Sequence, residues 1–234
     1  MDLYRDFSDH YDLIFPVDRP TVAFLSKSFR KGRVLDLGCA TGGHVLALRA
    51  LGYRADGIDL DERMVDIARK KALQAGSPAT FGASDIRSLS SVSLYEGVYC
   101  IGNTLVHLSS EAEIGVMIRR MYSSLVDGGS AVVQIVNYDR ILDQRITALP
   151  PIKNQGRTFT RNYVLEDGRV RFQTRLTYED QVYEADTPLF PLRARSLERM
   201  MRDAGFTNVV LYGGFDGRPF DPATSFALIA KGTK

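Results

Sequence analysis

The stretch that most constrains this chain is "RVLDLGCATGGHVLALRALG", residues 33 to 52. An apolar run, Val34-Leu35, leads into Asp36, a glycine-rich turn follows, and an amphipathic segment closes at Gly52. A strand that turns through glycines directly into a helix is the first half of a βαβ unit. It commits the chain to a parallel sheet covered by helices. Such turns usually cradle a phosphate on backbone N–H groups at a helix N-terminus. Here Asp36 puts a negative charge at that place, so the turn asks for a different kind of ligand.

The pattern repeats along the chain. Residues 18 to 30 read as a helix, with Asp18 as its cap and Pro20 in its first turn. "YRADGIDL" reads as a second strand, and "DERMVDIARKKALQAG" as a helix with acids at its start and bases at its end, the order that suits a helix dipole. "ATFGASDI", "YEGVYCIGN" and "SAVVQIVNYD" read as strands three to five. Between the last two, "SEAEIGVMIRRMYSSLVDGG" reads as a helix closed by glycines. Late in the chain come the helix "SLERMMRDAGF" and the strands "TNVVLYGGF" and "SFALIAKG". The expectation is an α/β, Rossmann-like, doubly wound and mostly parallel sheet of seven strands with helices on both faces.

One segment breaks this alternation. From about Arg157 to Leu189 the residues alternate as antiparallel strands do, with Asp167-Gly168 as a hairpin turn. In residues 169 to 175, Arg169, Arg171, Gln173 and Arg175 fall on one face, and Val170, Phe172 and Thr174 on the other. The first face reads as solvated, or as one from which an arginine receives a substrate carboxylate. We expect a single domain over 1–234, with an α/β core at 18–136 and 193–234. An antiparallel β insertion at 143–192 leaves strand five, where ligands of open α/β sheets bind, and would roof the site.

Composition narrows the class. Hydrophobic residues make up 44% and charged ones 25%, and 30 basic residues against 28 acidic give a net charge of +2. This is an ordinary globular balance and gives no electrostatic reason to expect nucleic acid as a partner. Cys39 and Cys100 read as buried free thiols, which fits a reducing compartment. The N-terminal stretch "MDLYRDFSDHYDLIF" has no apolar run of signal-peptide type, and no segment reaches the length of a membrane span. The expectation is a cytoplasmic protein without a metal site, since no Cys/His grouping has zinc spacing.

The site can then be read from the strand ends. The dinucleotide fingerprint would place a glycine at Ala40, and a pyrophosphate would be repelled by Asp36. Asp59, ending strand two, is placed to accept both hydroxyls of a ribose. Asp85, ending strand three, can accept from an exocyclic amine while Ile86 packs on a purine ring. A nucleoside carrying cationic groups and no phosphate satisfies all three acids, and S-adenosyl-L-methionine is such a molecule.

"VLDLGCATG", "GIDLDERMVDIAR" and "ASDI", in this order and spacing, resemble the class I S-adenosylmethionine-dependent methyltransferases over roughly 30–136 and 193–234. The resemblance implies a cofactor site at Asp36, Gly38, Ala40 and Gly42 in the turn, and at Asp59, Leu60 and Met64 after strand two. It adds Asp85 and Ile86, and Asn103 and Thr104 at the methionine end. "CIGNTLVHL" and "VNYDRIL" further resemble the glycine N-methyltransferase group. That likeness implies that Asn137 touches the substrate, that Tyr11 sits by the methyl-donating sulfur, and that Arg19 pairs with the methionyl carboxylate. Phe190-Pro191 departs from the group's tyrosine before proline, which argues against glycine itself as acceptor. His107, past strand four, can serve as a base or be a histidine fixed by its hydrogen bonds. His10 and His44 are weaker candidates for that role. The reading is an enzyme that methylates a small-molecule acceptor, on N before O. A methyltransferase acting on a protein or tRNA, and a non-catalytic binding protein, remain the alternatives.

Overall fold

The computed structural model describes residues 8–166 and 168–234; Asp167 and the start of the N-terminal stretch lie outside the described residues. Two short helical segments come first, α1 (Tyr11–Ile14) and α2 (Arg19–Ser28). Asp18 caps α2: its carboxylate accepts from Thr21 N at 2.8 Å and Thr21 Oγ1 at 2.7 Å.

The α/β portion follows as β1 (Arg33–Leu37), α3 (Gly43–Ala50), β2 (Arg54–Asp59), α4 (Glu62–Gln74), β3 (Phe81–Ala83), β4 (Tyr95–Cys100), α5 (Glu111–Ser124) and β5 (Leu125–Val136). A short helix α6 (Tyr138–Asp143) leads to four strands, β6 (Ala148–Asn154), β7 (Arg157–Glu166), β8 (Arg169–Tyr178) and β9 (Gln181–Leu189). Helix α7 (Ala194–Asp203) and strands β10 (Thr207–Tyr212) and β11 (Ala227–Thr233) complete the chain. The seven-stranded sheet has the order β10-β11-β5-β4-β1-β2-β3, with β11 antiparallel to both its neighbours. The strand order reverses between β1 and β4, which places a crevice at their carboxyl ends.

Side chains alternate across this sheet, and each face has its own core. Val34, Val45, Val65 and Tyr99 pack with α2, α3 and α4 on one face, while Leu35, Leu37, Val98, Ile114 and Leu197 pack with α5 and α7 on the other. Asp36 takes the place where the next apolar residue on the first face would stand, beside its register partner Tyr99.

The four remaining strands form a separate antiparallel sheet in the order β6-β7-β8-β9. The pairing of Glu166 with Arg169 puts Gly168, at φ +73°, in the connection read as a two-residue turn. The arginine-bearing face of β8 is the outer one, where Arg171 bonds Asp186 and Arg175 bonds Glu184. Arg171 and Arg175 are thus engaged in ion pairs on this solvated face. On the inner face, Phe159 and Leu176 pack with Ile14, Tyr11 and Phe15 of the N-terminal segment.

Two local expectations are corrected. The helix over 111–124 runs straight into β5 at Leu125, and Gly128-Gly129 lie inside β5, where the register with β4 shifts. The fifth strand stops at Val136, because the Asn137 side chain turns the chain into α6 by accepting from Arg140 N at 3.2 Å. Asn137 is 1% exposed, and its Nδ2 donates to Pro222 O at 3.0 Å and Ser225 O at 2.9 Å. A buried amide with three such bonds supports the fold around it. Replacing it strands two carbonyls and one amide. We expect Asn137→Ala to cost about 2–3 kcal/mol, read as a fall in Tm of roughly 5–10 °C.

Candidate active site

The turn after β1 is held from behind by its neighbour strand. Gly38 N and Cys39 N donate to Ile58 O at 2.8 and 3.0 Å. Asp59, the last residue of β2, completes this: its Oδ2 accepts from Ala40 N at 2.7 Å and its Oδ1 from Asp61 N at 2.9 Å. Each oxygen keeps a second lone pair for a ligand hydroxyl. Gly38 adopts φ +83°, and a Cβ there would meet Thr104 Cγ2 at 2.5 Å, so only glycine lets the turn approach that segment. Ala40 adopts φ +46°, a left-handed conformation that the bond to Asp59 holds in place.

Two cavities meet at this turn. The first, of about 310 Å³, is lined by Asp59, Leu60, Met64, Asp85, Ile86 and Thr104, among others. Met64 and Ile86 are buried, whereas Leu60 is 72% exposed and forms the rim. The second, of about 500 Å³, is lined by Asp36, Asn103 and His44 from the core, Phe15 from the N-terminal segment, and Phe159, Arg161 and Phe172 from the second sheet. Tyr11, Gly38, Ala40, Gly102 and His107 line both. The N-terminal segment is latched there by Asp12, which accepts from Thr41 Oγ1 at 2.5 Å and Lys71 Nζ at 2.7 Å.

The electrostatics of the turn are unusual. Asp36 is 2% exposed, and burial raises its carboxyl well above the ordinary range, with the nearby Asp59 charge adding to the rise. The Tyr99 hydroxyl opposes the shift. Even so, neither Asp36 Oδ1 nor Tyr99 Oη has a hydrogen-bond partner among the described residues. The hydroxyl therefore acts on Asp36 as a nearby dipole, short of a hydrogen bond. Burial also raises Asp59, against the pull of the backbone donors of Asp61, Ala40 and Leu60. Two carboxylates brought together out of water, one with an unmet oxygen, fit a ligand with a positive group and no phosphate.

Asp85 differs. Its Oδ2 accepts from Arg87 Nε and Nη2 at 2.9 and 2.6 Å, and Arg87 holds its carboxyl below the usual value. An exocyclic amine would share Asp85 with Arg87, which is itself half exposed and lines the same cavity.

Three sequence expectations fail on placement. Asn137 lines neither cavity, since its amide is consumed by the 222–225 segment and by α6. Arg19 is exposed at the start of α2 and lines neither cavity. Gly42, at φ +76°, caps α3, and a Cβ there would strike the Phe81 ring at 2.6 Å. It serves the packing of α3 against β3, not the cavity wall. Asn103 does line the second cavity, and its side chain locks the turn after β4: Oδ1 accepts from Val136 N at 3.0 Å and Nδ2 donates to Tyr138 Oη at 3.1 Å.

Comparison with known proteins agrees with this geometry. The family described as a methyltransferase domain matches residues 34–129. A glycine/sarcosine N-methyltransferase of Aphanothece halophytica is 30% identical over 188 residues, which is 78% of this chain and 69% of that protein. The chain belongs to the class I S-adenosylmethionine-dependent methyltransferases. Solved structures share the fold of this methyltransferase throughout. An S-adenosylmethionine-dependent methyltransferase from Clostridium acetobutylicum aligns at TM-score 0.84 and 15% identity over 99% of both chains. The CcbJ methyltransferase of Streptomyces caelestis aligns at 0.81 and 22% identity over 97% of this chain and 95% of that one. Among the described residues, no helix of the methyltransferase is long and apolar enough to cross a membrane.

Sequence reasoning missed Arg161 and Tyr99. Tyr99 carries no local signal, since it matters only through its register with Asp36. Arg161 did leave a signal, as a charge in the apolar alternation Phe159, Arg161, Tyr163.

The raised Asp36 gives a stability prediction. Its folded pKa exceeds its unfolded one, so the charged form opposes folding. The associated stability is fully present below the unfolded value and is lost as pH rises through the folded value. Without ligand, Asp36→Asn should therefore be more stable than wild type by about 1–3 kcal/mol near pH ~8. The gap should shrink as pH falls toward the ordinary carboxylate range. Thermal melts of both proteins across pH check this, and a gap that is flat with pH would contradict it.

Proposed function

We propose that this methyltransferase methylates a nitrogen of a small-molecule acceptor. The observation that carries the reading is the second cavity, which opens on the turn through Tyr11, Gly102 and His107 and is walled by Phe15, Phe159 and Phe172. A pocket of this size with aromatic walls suits a small molecule, and no strip of basic and aromatic residues suggests a nucleic acid. Nitrogen is favoured over oxygen by the likeness to a glycine/sarcosine N-methyltransferase.

S-adenosylmethionine, when bound, supplies a methyl group already activated on a sulfonium. In this reading Asp59 accepts the ribose hydroxyls, and Met64 and Ile86 hold the adenine, with Leu60 at the rim. Asp85 takes the exocyclic amine. Asp36, with Gly38 and Ala40, faces the cationic methionine end, and Asn103 and Thr104 complete that wall. The methyl group is activated by the cofactor itself, so the protein's part is positioning and exclusion of water. Tyr11, latched through Asp12, closes the junction of the two cavities. In the same reading His107, which lines both cavities, takes the proton that an ammonium acceptor must lose before its lone pair can react.

The test begins with calorimetric titration of S-adenosylmethionine and of NAD into wild type and Asp59→Ala. Wild type should bind the first alone. The variant, losing a ribose acceptor and an anchor of the Ala40 turn, should bind it at least about 100-fold more weakly. Mass spectrometry of a panel of amines and amino acids should then find one methyl added to a small molecule, with His107→Ala shifting the rate optimum to higher pH. Preference for NAD, or methyl transfer confined to protein or RNA, would overturn the reading.

A further inference from the structure

Resting on the methyltransferase reading above, the second cavity contains a charge that the fold does not use. Arg161 projects from β7 on the inner face of the antiparallel sheet, between Phe159 and Tyr163, both 2% exposed. Its register partner on β8 is Thr174, flanked on the same face by Phe172 and Leu176. A guanidinium is rarely set in an apolar sheet face without a counter-ion. On the outer face, Arg171 and Arg175 have acidic partners. Arg161 has no ion pair among the described residues. Its one side-chain bond runs from Nη2 to Pro150 O at 2.8 Å, and its Nε is buried without a partner. Beside it, Thr174 Oγ1 is likewise buried and unmet. Partial burial depresses the Arg161 pKa, the direction expected of a half-buried cation with no anion beside it.

Among the described residues lining this cavity, Arg161 is the single arginine or lysine. The walls on its side are Phe15, Phe159 and Phe172, with Phe15 edge-on to Phe159 at 5.5 Å between ring centroids. Asp36 and the glycine turn line the same cavity. One positive charge among rings, in the cavity that meets the glycine turn, suits an acceptor with one anionic group, an apolar body and an amine.

We propose that Arg161 is a specificity-determining residue that binds the carboxylate of the acceptor. The acceptor class is an amino acid or similar amino-carboxylate with a bulky, aromatic or branched apolar body. Arg161 suits a planar carboxylate because its fork is already oriented by the Pro150 carbonyl, so little freedom is lost on binding. The aromatic walls set the size preference above glycine.

The test uses a matched pair of amine-free probes, 3-phenylpropionate and 3-phenylpropionamide, titrated calorimetrically into the full chain. Wild type should bind the carboxylate about 10- to 100-fold more tightly than the amide, the range of one charge-assisted contact. Arg161→Gln should lose that discrimination, and Arg161→Lys should keep part of it. S-adenosylmethionine affinity should be unchanged in both variants, which also shows that they are folded. Equal affinity of wild type for the two probes, no binding of either, or discrimination that survives in Arg161→Gln overturns the subsite. Tighter binding of phenyl phosphate than of phenylpropionate overturns the assignment to a carboxylate. Failure of wild type to bind S-adenosylmethionine, with the probe discrimination intact, would sink the methyltransferase reading and leave Arg161 as a carboxylate receptor.

Discussion

The structure depends on two carboxylates held out of water at the ends of neighbouring strands. Asp59 is anchored by the backbone, for it accepts from Ala40 N and Asp61 N. The same bonds hold the turn after β1 in its left-handed shape at Ala40. Asp36 has no such support: burial and the Asp59 charge both push it toward its neutral form. The pair is arranged so that one member shapes the loop and the other is left electrostatically unmet. A cationic ligand relieves that repulsion, and an anionic one adds to it. This one constraint separates the site from a dinucleotide site built on the same turn, and it does so without a cationic clamp.

The second half of the site is built on different terms. The antiparallel sheet carries a solvated outer face and an inner face that packs on the N-terminal segment through Ile14, Phe159 and Leu176. Asn154 Nδ2 adds a bond to Leu13 O at 2.6 Å. The N-terminal segment therefore touches both halves, since Asp12 ties it to Thr41 and Lys71 of the α/β portion. Its residue Tyr11 reaches the wall shared by the two cavities because of these bonds at both ends.

Much of this was legible in the sequence, for identifiable physical reasons. The alternation of apolar strands and amphipathic helices reports burial on both sides of a parallel sheet, and the three acids end strands because ligands of such sheets bind there. What failed were residues whose role is set by a distant partner. Asn137 looks like a polar residue at a strand end, yet its amide is used by Pro222 and Ser225, more than eighty residues away. Gly42 looks like part of the cofactor turn, but its missing Cβ makes room for the Phe81 ring. Arg19 starts a helix whose buried residues, such as Leu25, face the core, which leaves the arginine in solvent. Arg171 and Arg175 of β8 were read on the same face, but the acids that neutralise them lie on β9.

The two halves also differ in how freely their chemistry can vary. At the turn, recognition is carried by main-chain geometry: a Cβ at Gly38 meets Thr104, and losing the Asp59 carboxylate would release Ala40 N. In the proposed function the residues that bind there are also those that shape the loop, so few substitutions are compatible with both tasks. On the sheet, the backbone ladder from Arg157 to Tyr178 is complete whatever side chains it carries. Successive inner-face positions can then exchange rings, hydroxyls or a guanidinium at the cost of local packing alone. A charge as expensive as Arg161 is tolerable there because the ladder does not depend on it. In the proposed function, acceptor specificity falls to the part of the molecule whose fold is least sensitive to the identity of its inward side chains.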